Sequence, residues 1–327
     1  MKKSVAVVYG GDSSEYLISV GSGKNISRNL DRERFDVYEI FIHGGKWSLC
    51  DGSCDEPLPV AEVDKNDFSV TVNGHKVRFD VAYITIHGTP GENGLLQGYL
   101  EMLGIPHTTC RSHVASVIFD KCSCKRFLSH SSVKMAPDVY LRRNVPYDCA
   151  EILSQLKLPL FVKPVIGGSS FGISKVKVAD ELEEAIRTGF REGDALIIEQ
   201  GIQGRELTQG VYRNGSEIVA LPVTEIIPEG EYFDYEAKYL GKSREICPAQ
   251  IPPEVARALG ESSRRIYEYL GCSGIVRIDY IWDGSDIWFL ELNVTPGMTQ
   301  MSIVPVQVRE AGIEIGDFLS TIIDGAI

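Results

Sequence analysis

Glu291-Leu-Asn-Val-Thr-Pro-Gly-Met-Thr-Gln-Met301 runs from a strand-like stretch straight into a Pro-Gly turn, and its alternation decides how the C-terminal part of the chain is built. Side chains two apart on a strand share a face, so Glu291 and Asn293 point the same way. One strand earlier, GIVRIDYIW (274–282) repeats that spacing with Arg277 and Asp279. If the two strands are neighbours, Asp279, Glu291 and Asn293 converge with Arg277 beside them. Hard carboxylate and amide oxygens, with no thiol or imidazole among them, suit Mg²⁺ that keeps waters and binds mainly through nucleotide phosphates. The alternative is a row of solvated strand residues. Apolar neighbours (Ile275, Val276, Ile278, Phe289, Leu290, Leu292) argue against it, because they make the strands buried and buried charges need partners.

Toward the N-terminus the chain alternates strand-like and helix-like stretches. VAVVYGG (5–11), FDVYEIFI (35–42) and FDVAYITI (79–86) read as strands, and Leu95, Leu96, Tyr99, Leu100 and Leu103 mark one helix face. The turns Gly10-Gly11-Asp12 and His87-Gly88-Thr89-Pro90-Gly91 follow strands at their C-terminal ends, where open α/β sheets bind ligands. A parallel α/β domain is expected over 1–118, with the hairpin-like segment from Trp47 to Val77 as an insertion and Asn73-Gly74 as its tight turn. A central subdomain (119–203) and a C-terminal subdomain (204–327) follow.

The central segment carries LPLFVKPVIGGSSFGISKVKV (158–178), in which Gly167 to Gly172 sits between two extended runs. It reads as a hairpin tip whose N–H groups can close over phosphates, or equally as a plain turn. It is not a Walker A loop, since that motif needs Gly-Lys-Ser/Thr opening a helix and the nearby lysine, Lys163, lies upstream on the strand. EGEYFDYEAKYLGKSREICP (229–248) has no clean period and reads as a covering loop.

Composition bounds these readings. A chain of 327 residues, 43% hydrophobic, has ample material for a core divided among two or three domains. A formal net charge of -12 argues against nucleic-acid or anionic-membrane partners, which need a basic face. No apolar run approaches bilayer length, and Lys2-Lys3 lead into too short an apolar stretch for a signal peptide, so a cytoplasmic setting is expected. The eight cysteines then read as reduced thiols, without the second pair or the histidines that a zinc site requires.

The ordered set GGDSSE, HGTPGENGLLQGYLE, Asp120-Lys121, VKP followed by GGSSFG, YEAKY, GCSGIVRIDY and ELNVTPGMT resembles the D-alanine–D-alanine ligases of the ATP-grasp superfamily, from Gly10 to Val304. The resemblance implies a three-domain ATP-grasp fold and an enzyme that joins two D-alanines through a D-alanyl phosphate at the expense of ATP. Lys121 and Lys163 would hold the phosphates, with Gly168, Ser169 and Ser170 closing over them and Lys238 reaching them from the covering loop. Glu199 and the backbone near Ile202 would meet adenine, and Glu206 the ribose. Asp279, Glu291 and Asn293 match ligands of two Mg²⁺ ions, with Mn²⁺ as a substitute.

Glu15 would take the ammonium of the first D-alanine, His87 would line its pocket, and Ser302 would bind the second D-alanine's carboxylate. Arg277 and the Gly297 N–H would stabilise the tetrahedral oxyanion, while Glu15, Ser169 and Tyr239 would form a hydrogen-bonded triad. Tyr239, where relatives making D-alanyl-D-lactate usually carry histidine, favours dipeptide formation. Tyr16-Leu17, Gly167 and Ile303 depart from residues common in the family and leave the shape of the first-substrate pocket open. A D-lactate or D-serine ligase and a silent nucleotide-binding module are the alternatives. The family is usually a homodimer and supplies peptidoglycan precursors.

Overall fold

Six consecutive buried residues make strand β1 (Lys3–Gly10) the spine of the first sheet. The computed structural model describes residues 2–167, 172–228 and 243–327, so Gly168, Ser169, Ser170, Lys238 and Tyr239 lie outside it. After β1 come α1 (Tyr16–Asn29), β2 (Phe35–His43), β3 (Lys46–Cys50), β4 (Pro59–Asp64), β5 (Ser69–Val72), β6 (His75–Arg78) and β7 (Val81–Ile84). They form one sheet in the order β6-β5-β4-β3-β2-β1-β7. Strand β1 runs parallel to both β2 and β7, as the β/α alternation requires. The segment expected as an insertion extends the same sheet with four antiparallel strands, so the parallel part is confined to three. Asn73 (φ 50°) and Gly74 (φ 79°) supply the two left-handed residues of the β5–β6 hairpin turn.

The chain continues through α2 (Leu95–Met102), α3 (Ser112–Phe119), α4 (Lys121–Leu128) and β8 (Lys134–Met135). Next come β9 (Asp138–Arg142), α5 (Cys149–Gln155), β10 (Leu160–Pro164), β11 (Ser174–Val176), α6 (Leu182–Glu192) and β12 (Ala195–Gln200). Strands β11-β10-β12-β9 make an antiparallel sheet. Helix α6 covers it with Leu182, Ala185, Ile186 and Gly189, an i, i+3, i+4, i+7 stripe.

The last sheet takes β13 (Arg205–Asn214), β14 (Glu217–Ala220), β15 (Thr224–Pro228), β16 (Ser243–Ile246), β17 (Ile275–Trp282) and β18 (Ile287–Asn293). Its order is β16-β15-β13-β17-β18-β8, with β14 paired to β13. Helix α7 (Pro253–Tyr269) precedes β17, and α8 (Ile303–Glu310) and α9 (Ile315–Asp324) end the chain. Strand β8 lies parallel beside β18, and Val114, Ile118 and Leu128 share a core with Leu207, Ile278 and Phe289. A boundary at 118/119 therefore falls within α3, whose apolar face belongs with the C-terminal sheet. Val5, Val7 and Tyr9 pack in one cluster with Ile275, Val304 and Phe318, which joins the first sheet to the last.

Gly274 makes that junction possible. It opens β17 at φ +67°, and a Cβ there would lie 1.8 Å from the Thr108 carbonyl oxygen. Strain in the left-handed region and overpacking act together, so Gly274→Ala is expected to cost about 3 kcal/mol or more of stability. Urea unfolding checks it, and an unchanged midpoint would contradict the close approach.

Candidate active site

A cleft of about 310 Å³ is lined by residues of the two later sheets and of the segments that follow β1 and β7, among them Glu15, His87, Lys163, Glu199, Arg277, Glu291 and Asn293. The expected neighbour relation of the last two long strands holds. In the antiparallel β17–β18 ladder Arg277 lies opposite Asn293 and Asp279 opposite Glu291, with an irregularity just after Asp279. Asp279 is buried. Its Oδ1 accepts from Arg277 Nε at 3.0 Å and Thr208 Oγ1 at 2.5 Å, and its Oδ2 from Arg277 Nη2 at 2.8 Å. A carboxylate taken out of water needs that company. Asn293 Oδ1 accepts the Thr295 N–H at 2.9 Å, which orients its amide. Carboxylate and amide oxygens keep lone pairs beyond these bonds, so this all-oxygen set on facing strands fits a hard divalent cation.

The loop after β18 is clamped to the N-terminal sheet. Thr295 Oγ1 donates to the Ile86 carbonyl at 3.1 Å, Met298 N–H donates to Ser22 Oγ at 2.9 Å, and Asn25 Nδ2 donates to the Met298 carbonyl at 2.7 Å. A Cβ on Gly297 would lie 2.9 Å from Ser302 Oγ, so glycine lets the loop pass close to that serine. Ser302 stands immediately before α8; its Oγ accepts the Thr299 N–H at 3.1 Å and pairs with Thr299 Oγ1 at 2.7 Å. A hydroxyl at the start of a helix is a suitable receptor for a carboxylate.

Beside the central sheet, Lys121 Nζ donates to the Gly167 carbonyl at 2.7 Å, bringing α4 against the start of the Gly-rich loop. Lys163 Nζ pairs with Glu199 Oε2 at 2.8 Å, while Lys125 Nζ pairs with Glu199 Oε1 at 2.5 Å, with Asp138 at 3.0 Å and with the Ala136 carbonyl at 2.9 Å. Both oxygens of Glu199 thus serve lysines. Burial alone would push this carboxyl up, but Lys163 and Lys125 outweigh it and hold it down at about 2. Burial likewise opposes the charge of Lys163, and Glu199, with Glu291 and Glu206 further off, raises it above the usual lysine value. Ile202 follows β12, and Glu206 sits half-buried on β13 opposite Ile281.

Two residues not singled out from the sequence belong here. Lys125 follows Lys121 by one helical turn, a spacing that signals a shared face. Glu92 closes the turn that His87 opens; its Oε2 accepts the Gly88 N–H at 2.6 Å. Burial, with the Glu15 charge adding, pushes the Glu92 carboxyl up to about 7. Burial also lowers His87, with Glu15 opposing and Arg277 assisting. The eight cysteines are free thiols, four of them buried.

Comparison with known proteins agrees with this geometry. Residues 4–110 match the family described as D-ala D-ala ligase N-terminus, and residues 138–324 that described as D-ala D-ala ligase C-terminus. The chain is 43% identical to a D-alanine–D-alanine ligase of Phocaeicola vulgatus over 99% of both chains. It is 46% identical to one of Porphyromonas gingivalis, covering 99% of this chain and 98% of the relative. Among solved structures, a D-Ala:D-Ser ligase from Enterococcus faecalis superposes with TM-score 0.88 at 30% identity over 100% of both chains. A D-alanine–D-alanine ligase from Bacillus anthracis complexed with ATP gives TM-score 0.79 at 26% identity over 99% of this chain and 97% of that one. The whole-length match and the site built between the three sheets place the chain in the D-alanine–D-alanine ligase family, on the ATP-grasp fold.

Proposed function

We propose that this chain is an ATP-dependent D-alanine–D-alanine ligase that works through a D-alanyl phosphate and releases ADP and phosphate. One observation carries the reading: a single cleft is lined by Arg277, Glu291 and Asn293, the two lysines Lys121 and Lys163, residues of the Gly297–Ser302 loop, and Glu15 and His87.

ATP would enter with its phosphates toward Lys121 and Lys163. Asp279, Glu291 and Asn293 would hold Mg²⁺, which would supply positive charge to the transferring γ-phosphoryl group. Arg277 and the Gly297 N–H would stabilise the oxygen that becomes negative when the second amine attacks, and preorganised donors there would lower the barrier. Ser302 and the start of α8 would hold the second substrate's carboxylate. Glu15 would form a hydrogen-bonded triad with Ser169 and Tyr239, and Gly168, Ser169, Ser170 and Lys238 would close over the phosphates; of these only Glu15 is among the described residues. A homodimer in the cytoplasm, supplying the dipeptide for peptidoglycan precursors, is the setting the family supports; no helix among the described residues is long and apolar enough to cross a membrane.

D-alanine–D-serine ligation is the second reading, favoured by the TM-score of 0.88 to an enzyme of that description. Purified protein with ATP, Mg²⁺ and D-alanine, alone or mixed with D-serine or D-lactate, is expected to release phosphate and give D-Ala-D-Ala as the main product by mass spectrometry, with L-alanine inert. A dominant D-Ala-D-Ser product would select the second reading, and no phosphate release with any of them would overturn both.

A further inference from the structure

We infer that Ser22 and Asn25 on α1 are positioning residues for the second amino acid: they fix the two peptide groups that flank Met298 and, through them, turn the Ser302 hydroxyl toward the incoming carboxylate. This deepens the proposed function and rests on it. Ile18, Gly21, Ser22 and Asn25 stand at i, i+3, i+4 and i+7 of α1 and so share one face. That face meets the loop after β18. Asn25 Nδ2 donates to the Met298 carbonyl at 2.7 Å, and Ser22 Oγ accepts the Met298 N–H at 2.9 Å. A Cβ on Gly21 would lie 3.2 Å from Thr299 Cγ2, and one on Gly297 would lie 3.8 Å from Ile18 Cγ2.

One peptide group carries the connection. The Met298 carbonyl and the Thr299 N–H belong to the same planar unit, and in a trans peptide they point in opposite directions. Asn25 holds the carbonyl, while the N–H donates to Ser302 Oγ at 3.1 Å. An unbroken chain of hydrogen bonds therefore runs from the Asn25 amide through the backbone to the Ser302 hydroxyl, and each bond in such a chain polarises the next. Ser22 fixes the preceding peptide group, whose carbonyl belongs to Gly297. Ser302 Oγ also pairs with Thr299 Oγ1 at 2.7 Å. A hydroxyl has one O–H and two lone pairs. With Thr299 Oγ1 as the donor, both lone pairs are filled and the O–H is left for the cleft, which Ser302 lines. That is the polarity a carboxylate requires.

The support is itself held in place. Asn29 Nδ2 donates to Asn25 Oδ1 at 3.1 Å and to the Asn25 carbonyl at 2.8 Å, which engages the amide oxygen and directs the NH₂ at Met298. Ser22 is buried, Asn25 is half-buried, and neither lines the cleft, so both act through the loop and not on the substrate. A loop free to turn about Met298 would carry the Gly297 N–H and Ser302 out of place together. Small displacements of groups that hold a reactant cost rate far out of proportion to their size. Formation of the acyl phosphate needs no second carboxylate, so that step should be spared.

Asn25→Ala tests it by removing the donor at the head of the chain. The expected result is a rise of about tenfold in the second-site KM for D-alanine, with the KM values for ATP and for the first D-alanine within about twofold. Hydroxylamine separates this from general damage. Its amine attacks the D-alanyl carbonyl carbon, phosphate leaves, and D-alanine hydroxamate forms with no second carboxylate to bind, so hydroxamate formation should stay within about twofold of wild type. A second-site KM unchanged from wild type would overturn the proposal, and so would dipeptide and hydroxamate formation falling in parallel. Ser22→Ala, which deletes a single hydroxyl, carries the same measurements should Asn25→Ala fail to fold. If the wild-type protein makes no dipeptide at all, the ligase reading falls separately, and the support is read by hydrogen exchange. The Met298 amide should then exchange about tenfold faster in Ser22→Ala while the amides of β17 and β18 keep their wild-type rates, and unchanged exchange at Met298 would overturn it.

Discussion

Glu291→Gln is expected to lower kcat by a factor of about 10³ while leaving the protein folded, because it removes the anionic oxygen that would hold Mg²⁺, and with it the positive charge that would offset the phosphoryl group in the proposed reaction. Glu291 stands directly across the β17–β18 ladder from Asp279, whose own oxygens are already engaged by Arg277 and Thr208. Glu291 is then the second carboxylate of the facing pair, on the strand that also carries Asn293. Glutamine matches its size and keeps the strand pairing, so the loss should appear in turnover rather than in the melting temperature. Stopped assays of ADP release at several Mg²⁺ concentrations measure it. Turnover within threefold of wild type would sink the metal assignment.

Lys125→Met should be the most damaging substitution in the nucleotide half. It strips one cation from a buried group in which Lys125 meets both Glu199 and Asp138. Removing one partner of a buried ion pair typically costs about 3–5 kcal/mol, since the remaining charge stays desolvated. Arg126 also pairs with Asp138 at 2.7 Å, so most of the cost falls on Glu199. The variant should also raise the KM for ATP, because a Glu199 no longer fixed at one oxygen cannot hold Lys163 in register with Lys121. The acid limb gives an independent readout. Glu199 falls from 4.5 when free to about 2 in the fold, so its stabilising contribution is present above 4.5 and disappears as pH drops from 4.5 toward 2. That difference corresponds to an order of 3 kcal/mol. Lys125→Met should move acid unfolding upward in pH; unchanged urea midpoints at both pH 7 and pH 4 would show that Lys163 alone sustains Glu199.

Much of this site is legible in the sequence. Strand alternation put Glu291 with Asn293 and Arg277 with Asp279, and the observed ladder needs only that the two strands be adjacent. The Asn73-Gly74 turn was readable because positive φ is a local demand that few residues meet. The extent of the first sheet was not, since four antiparallel strands read as a separate hairpin until their edge is seen pairing with β2. Strand β8 is two residues long and carries no period, so its place beside β18 was invisible. That both oxygens of Glu199 face lysines was not readable either, because Lys125 on α4 and Lys163 on β10 meet it only through packing.

The sequence by itself determined what depends on neighbours along the chain: which side chains share a strand face, where glycine must turn, and an order of motifs that marks the family. Tertiary structure alone decided what depends on segments far apart in the chain. It brought Met298 onto Ser22, 276 residues away, Lys125 onto Glu199, 74 residues away, and Glu92 out of water into a wall shared with Glu15 and His87. The physical reason is that backbone periodicity acts over a few residues, whereas burial and ion pairing are set by whichever surfaces the packed sheets bring together, and those set the charge each group carries.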